Sequence, residues 1–437
     1  MVKSWDFWDT LAGRRTGVDP WRLFDLVGGE DYRRVRQEAE RASDKTWPGI
    51  FKALQRITGW TAARVAELRE AEWQAELDGV FPIAETVRQV GPRDRIVSDT
   101  YFDAKQIRRL AARIGLPDTV EVVVSWDGKW TGRYWRSAAA RDIERHVGDN
   151  ARSDVAQARA EGIDAVRYAG GGATATERGL EVAGLWEAAA AARAARLQNP
   201  HAPGTDEARW WDGAAGSNVP FILTAAALVR EYAAASGAER IAFVSRDAIL
   251  LGRAYHALYN ETVAIFHASR QTLREPSAEF LTYVKRLAPG TLFVDLHGTG
   301  RTLRQFFQAA DLKLAYVFVC GQARMAAHAP ALAKLRGIGA GTAVEVMNYH
   351  DEGRVVDVIG GRPVRADLEY DPAPVRVHQA ATLAGVRACC RPLRGVTVDH
   401  VAGAAEAVRR AVPRELLAQH QVHHEPRATR PGRQGLA

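Results

Sequence analysis

The sequence predicts an α/β protein built as two consecutive units, each a parallel sheet covered by helices. Three observations carry this. Short apolar runs of strand length alternate with amphipathic helical stretches through both halves. Residues able to do chemistry fall at or just after the C-terminal ends of those runs, where parallel sheets bind ligands. A Pro/Gly-rich stretch near residue 200 separates the halves. At 437 residues the chain also exceeds one ordinary core.

Residues 1–11 read as a first strand and turn, with Asp6 and Asp9 at its end. Residues 18–90 read as a helical insert. Apolar residues recur at helical spacing over 31–42, 50–58 and 61–77, with Gly59, Gly79 and Pro82 as punctuation. Strands are expected over 95–99, 120–125, weakly 146–149, and 165–168. Helices are expected over 103–114, 134–146 and 155–161. The glycines Gly170, Gly171 and Gly172 mark a break. A helix over 173–198 and a loop over 199–213 would then form the linker, so the first unit spans 1–170 and the linker region 171–213.

The second unit, 214–424, opens with a helix over 220–236. Strands are expected over 240–245, 262–266, 291–295 and 314–320. Helices follow the first and third of these, and a further helix covers 375–390. Residues 425–437 read as a disordered tail.

Composition bounds the function. A hydrophobic share of 47% and a charged share of 25% are those of a soluble globular protein. The chain begins in a strand pattern with no apolar leader, and no window approaches 18 uninterrupted apolar residues. Neither a secretory signal nor a membrane span is therefore expected. Three cysteines, with Cys389 and Cys390 adjacent, make neither a disulfide framework nor a zinc site, which fits a reducing cytoplasm. The net charge of +7 does not by itself imply nucleic acid. The arginines are spread through alanine-rich helices, which reads as solvated faces, and no aromatic–basic interleaving appears.

Four loci of the first half make a coherent site for phosphoryl transfer. Asp6 at a strand end can attack phosphorus and form an acyl phosphate. Ser98 and Lys129 can hold the phosphoryl oxygens and neutralise their charge. Asp149 and Asp154, five residues apart after Gly148, can hold Mg²⁺ through oxygen. Each residue also has a bland reading. Asp99, taken alone, reads as a helix N-cap, and Asp154 could cap the helix after it. Lys129 could be a solvated lysine, with Arg133 as a neighbouring candidate. Trp5, Trp8, Trp47, Trp60 and Trp73 read as packing between the insert and the sheet.

These motifs, in this order, resemble the haloacid dehalogenase-like hydrolase superfamily. Asp6-Phe7-Trp8-Asp9-Thr10-Leu11 is similar to its first motif, Ser98 to its second, Lys129 to its third, and Gly148-Asp149 with Asp154 to its fourth. The resemblance covers roughly residues 1–170 and is strongest to bacterial two-domain members associated with surface-glycan synthesis. It implies a Rossmann-like sheet with the helical insert as cap, Asp6 as nucleophile, and Mg²⁺ held by Asp6, Asp149, Asp154 and the main-chain carbonyl of Trp8. The expected substrate is a small phosphorylated metabolite. One departure matters: the family's phosphatases carry a second aspartate two residues after the nucleophile, and here that position is Trp8. Asp9, one residue further, is aimed differently.

In the second half, Asp295-Leu296-His297-Gly298-Thr299-Gly300-Arg301-Thr302 is a strand end, a small-residue loop and a helix start. Backbone amides at such a turn can cradle a phosphate. The stretch resembles the phosphate-binding loop of type I phosphoribosyltransferases, which implies phosphate contacts at Asp295, Thr299, Gly300 and Thr302. The sequence therefore leaves three functions open: a Mg²⁺-dependent phosphohydrolase, a phosphoribosyltransferase fused to such a domain, and a non-catalytic scaffold. His267, His297 and His350 do not form a metal-ligand spacing and read as ordinary polar residues.

Overall fold

A computed structural model describes residues 2–17, 19–322, 330–335, 338–414 and 416–417. The tail expected to be disordered lies outside the described residues. The chain divides into two compact units. The first comprises Met1–Ala208 and Ala384–Pro392, the second Arg209–Leu383 and Leu393–Ala437. Each contains a five-stranded parallel sheet.

Seven strands belong to the first unit: β1 (Val2–Trp5), β2 (Ala12–Arg14), β3 (Val80–Pro82), β4 (Arg95–Asp99), β5 (Glu121–Ser125), β6 (Ile143–Gly148) and β7 (Asp164–Arg167). The main sheet runs β5-β4-β1-β6-β7, which puts β1 in the centre. Trp5 and Phe7 are buried there among Ile96, Phe102, Ile107, Leu110 and Val147. The central strand therefore delivers Asp6 to the middle of the sheet's C-terminal edge.

The expected helical insert consists of Arg22–Arg41, Trp47–Thr58 and Ala62–Gly79. Thr46 and Thr61 cap the second and third by accepting from the amides of Gly49 and Arg64, each worth about 1 kcal/mol. Sequence reasoning missed the antiparallel pair β2–β3 that closes the insert at its base, with Ala12 opposite Pro82. Three-residue strands carry too little pattern to be seen. Gly13 makes the pairing possible, because a Cβ there would overlap the Phe81 ring.

Three expected elements differ. The helix expected over 134–146 is one turn at Arg133–Arg136 and a 3₁₀ turn, followed by β6 from Ile143. Pairing with β1, His146 opposite Ser4, overrides the local helical pattern. The single helix expected over 173–198 is two, Ala175–Val182 and Trp186–Leu197, separated where Gly184 takes φ 79°. The loop expected over 199–213 is helical from Asp206 to Gly213.

The second unit adds β8 (Arg240–Val244), β9 (Ala264–Phe266), β10 (Thr291–His297), β11 (Ala315–Gln322), β12 (Ala331–Leu335) and a hairpin of β13 (Val355–Ile359) with β14 (Arg362–Arg365). The parallel sheet runs β12-β11-β10-β8-β9. One face is packed by Phe266, Phe280, Phe293, Phe306 and Phe307 in edge and tilted contacts. Each such ring contributes roughly 1.5–3 kcal/mol by burial. Sequence reasoning did not anticipate β12, the hairpin, or the helix Val398–Ala411. Among the described residues one helix, Asp206–Ser236, is long and apolar enough to cross a membrane, and 61% of its most apolar window is buried inside the structure.

Candidate functional site

Asp6 follows β1 directly, its amide donating to the Val147 carbonyl at 2.8 Å. The neighbouring strands β4 and β6 end at Asp99 and Gly148. Five of the sequence-selected residues therefore gather at one edge: Asp6, Ser98, Lys129, Asp149 and Asp154. Carboxylate oxygens of Asp6, Asp149 and Asp154 lie within 4.8 Å of one another.

Lys129 sits among them, 2% exposed. Its Nζ is 2.5 Å from Asp6 Oδ1 and 2.6 Å from Asp154 Oδ1. The solvated reading of this lysine, and Arg133 as its substitute, are both excluded: Arg133 is exposed and pairs with Asp127. What positions Lys129 is Asp99. The Asp99 carboxylate accepts from Ser125 Oγ (2.6 Å), the Lys129 amide (3.1 Å) and the Trp130 amide (2.9 Å). Asp99 is thus not a helix cap. Asp103 caps the following helix instead, in a capping box with Gln106.

Asp154 is not a cap either. Asn150 caps that segment by accepting from the amides of Arg152 and Ser153. Asp154 is fully buried and takes the Asn150 amide on Oδ2 at 2.9 Å. His146 Nε2 lies 3.4 Å from its Oδ1, and His146 Nδ1 shares a 2.8 Å hydrogen bond with Ser4 Oγ. Gly148 leaves the space for this approach, since a Cβ there would fall inside the Asp154 carboxyl.

The charges do not balance. Three carboxylates surround one ammonium, and removing them from water is costly. For Lys129, burial works against the charge, but Asp6 and Asp154 outweigh it and raise its pKa. For Asp154, burial pushes upward, yet Lys129 and the His146 hydrogen bond hold it below the usual carboxylate range. For Asp6, burial dominates over Lys129, and repulsion from Asp154 and Asp149 adds to it, so its pKa stands well above the ordinary value. The two partners of Lys129 shift oppositely because Asp154 has further donors and Asp6 does not. Asp149 is pushed up to about 6 by burial, then by repulsion from Asp9 and Asp154. Its carboxylate makes no ion pair among the described residues; only the nearby Lys129 charge and its own backbone amide oppose the rise. Three carboxylates this close together could hold a metal ion through oxygen.

Ser98 is buried near the end of β4, the strand next to β1, and makes no side-chain hydrogen bond among the described residues. The Trp8 side chain is engaged elsewhere: its ring carries the Arg14 guanidinium at 3.3 Å, and its indole N–H is buried with no hydrogen-bond partner among the described residues. Arg14 in turn pairs with Glu76. Trp47 stacks on Tyr101 and Trp73 meets Phe102 just past β4, the packing between insert and sheet expected of them, whereas Trp60 stacks on Tyr32 within the insert.

Sequence reasoning missed Arg193. Its Nη2 is 2.5 Å from Asp9 Oδ1, and Nε and Nη2 donate to the Gly171 carbonyl at 3.1 and 2.6 Å. Arg193 is 1% exposed, so the reading of arginines in alanine-rich helices as solvated does not hold here. The signal was the run around it: Ala188–Ala192, Ala194 and Ala195 are all buried, and small residues on every side mark a helix enclosed by protein. The glycine break packs on the same turn, because a Cβ on Gly171 would strike the Asp9 carbonyl.

In the second unit, Asp295, Thr299, Gly300 and Thr302 line one cleft of about 420 Å³ together with Arg246, Asp247, Arg301 and Glu345. Gly300, at φ 67°, precedes the helix Arg301–Ala309. The floor is acidic. Asp247 is pushed up to about 7 by burial, opposed by Arg246 and reinforced by Glu345. Asp295 is raised well above its ordinary value by burial, then by Asp247 and Glu345. His297 Nδ1 lies 3.4 Å from Glu345, and His350 Nε2 accepts from Arg253 at 3.2 Å.

No family model matches the chain, and no curated protein matches it.

Proposed function

We propose that the first unit is a Mg²⁺-dependent hydrolase of a small phosphorylated metabolite, working through an aspartyl-phosphate at Asp6. The observation that carries this is the convergence of Asp6, Asp149 and Asp154 around Lys129 at the C-terminal edge of a parallel sheet. Asp6 is the nucleophile, with β1 fixing its position. Lys129 and the unengaged hydroxyl of Ser98 hold the phosphoryl oxygens. Asp6, Asp149 and Asp154, with the Trp8 main-chain carbonyl, would hold Mg²⁺, which supplies charge neutralisation between an anionic nucleophile and an anionic substrate. The helical insert acts as the cap, as in the haloacid dehalogenase-like hydrolases that the motifs resemble, and the protein works in the cytoplasm.

The test is Mg²⁺-dependent phosphate release from a panel of phosphate compounds by wild type and Asp6→Asn. Release by the wild type that is lost in Asp6→Asn is expected. No release from any compound would leave the scaffold reading standing.

One observation favours a second reading for the other unit. Asp295, Thr299, Gly300 and Thr302 share a cleft that Arg246 and Arg301 also line. A phosphoribosyltransferase-like unit would bind phosphoribosyl pyrophosphate there. Calorimetry should then show binding that Asp295→Ala abolishes.

A further inference from the structure

We infer that the Asp6 site takes substrates whose leaving group departs without a proton: phosphoric anhydrides and acyl phosphates, rather than alkyl phosphate esters. The inference rests on the phosphohydrolase reading above.

In the first step an Asp6 oxygen bonds to phosphorus. The bond from phosphorus to the leaving oxygen breaks, and the electron pair leaves on that oxygen. An alkoxide is too basic to depart so and needs a proton as it forms. A phosphate or carboxylate anion does not. The requirement thus falls on which side chains can give a proton near Asp6.

Asp149 and Asp154 lie closest, but both are assigned to the Mg²⁺ ion; outside these proposed ligands no described side chain is placed to do so. Two residues beyond Asp6 stands Trp8. Its indole N–H can donate a hydrogen bond but does not release its proton near neutrality. The next acid, Asp9, is carried by a residue at φ 55° and does not join the carboxylate cluster. Its Oδ1 is held 2.5 Å from Arg193 Nη2. Arg193 cannot swing away, because it is buried and anchored on the Gly171 carbonyl by two hydrogen bonds. Gly171 itself packs directly on the Asp9 backbone. His146 is fully buried, with one ring nitrogen on Ser4 and the other facing Asp154. Lys129 spans Asp6 and Asp154. In the second step water attacks phosphorus and the bond from phosphorus to Asp6 breaks. The Asp6 carboxylate is restored, one water proton stays on the released phosphate, and the other passes to solvent. Outside the proposed Mg²⁺ ligands no described side chain is poised to take that proton either, so the phosphoryl-enzyme is expected to accumulate.

The experiment uses the full chain with Mg²⁺ and two series: 2,4-dinitrophenyl, 4-nitrophenyl and phenyl phosphate, then acetyl phosphate against ethyl phosphate. A proton donor is worth roughly 10²–10⁴-fold to a poor leaving group. Without one, kcat/KM is expected to fall by about that factor from dinitrophenyl to phenyl phosphate, and from acetyl to ethyl phosphate. Intact-mass measurement after acid quench is expected to show a phosphoryl adduct that Asp6→Asn lacks. Trp8→Asp should raise phenyl phosphate turnover relative to dinitrophenyl phosphate. Asp9→Asn should leave that ratio unchanged, which serves even where Trp8→Asp does not fold. A flat series, or an Asp9→Asn loss confined to phenyl and ethyl phosphate, overturns the inference while the hydrolase reading survives. No release from any compound removes both.

Discussion

Lys129 Nζ lies 2.5 Å from Asp6 Oδ1, and the same ammonium reaches Asp154 at 2.6 Å. One buried cation thus compensates two buried carboxylates. Removing it while the acids remain is the costly direction, typically about 3–5 kcal/mol, because the acids stay buried and unpaired. Lys129→Met is expected to lower the unfolding free energy measured by urea denaturation at pH 7 by that order. Added Mg²⁺ should recover part of the loss, since it restores positive charge to the same oxygens. A variant as stable as wild type would show that the cluster does not depend on this charge.

Asp149 gives a cleaner probe of metal binding. Its carboxylate makes no ion pair among the described residues, and repulsion from Asp9 and Asp154 outweighs the attraction of Lys129. Asp149→Asn should therefore leave the metal-free protein as stable as wild type or slightly more so. Its effect belongs to the ion. At 100 times the dissociation constant a bound ligand adds about 2.7 kcal/mol of stability. Thermal unfolding across a Mg²⁺ titration should show such a gain in wild type and a much smaller one in Asp149→Asn. Equal responses would rule Asp149 out as a ligand.

Asp99 shows how far the site was legible in the sequence. Asp6, Lys129, Asp149 and Asp154 could be picked out because each follows a strand-length apolar run, and parallel sheets put such positions on one edge. Asp99 misled because an acid shortly before a helix reads as a cap. The better cap was visible four residues on, where Asp103 and Gln106 have capping-box spacing. The role of Asp99, three hydrogen bonds into the Lys129 loop, is tertiary and leaves no local pattern. The same holds for Arg193 meeting Asp9 across 184 residues. Short strands such as β2 and β3 were invisible for a different reason, since three residues do not establish a period.

That contrast is itself testable. Asp99→Ala frees the loop that aims Lys129, so the phosphate-release rate should fall about tenfold or more. Asp103→Ala removes only a cap, costing about 1 kcal/mol of stability with the rate per folded molecule preserved. Equal losses of rate in both variants would argue against a positioning role for Asp99.

Gly148→Ala tests the approach of Asp154 to β6. A methyl group there has no room, because the Asp154 carboxyl fills the space. Overpacking of a fixed neighbour costs about 1–3 kcal/mol. The displaced carboxylate should also weaken Mg²⁺ binding, as read by the same thermal titration. An alanine variant with wild-type Mg²⁺ affinity would mean that Asp154 tolerates movement or does not bind the ion.

His378 sets a pH limit on the second unit. It is fully buried in the helix Pro372–Ala388, and neither ring nitrogen has a hydrogen-bond partner among the described residues. Burial lowers its pKa to about 4 from an ordinary 6.5. A base depressed in the folded state favours folding above its unfolded pKa, where both states are neutral. As pH falls below 6.5 the unfolded chain takes up a proton that the folded chain refuses, so stability declines until the folded pKa is passed. The loss should run between about pH 6.5 and 4 and amount to about 3 kcal/mol, at roughly 1.4 kcal/mol per unit. His378→Leu keeps the volume close and removes the proton site. Chemical denaturation across that range should show a shallower decline in His378→Leu than in wild type. Parallel curves would place the acid sensitivity elsewhere, in groups that both proteins share.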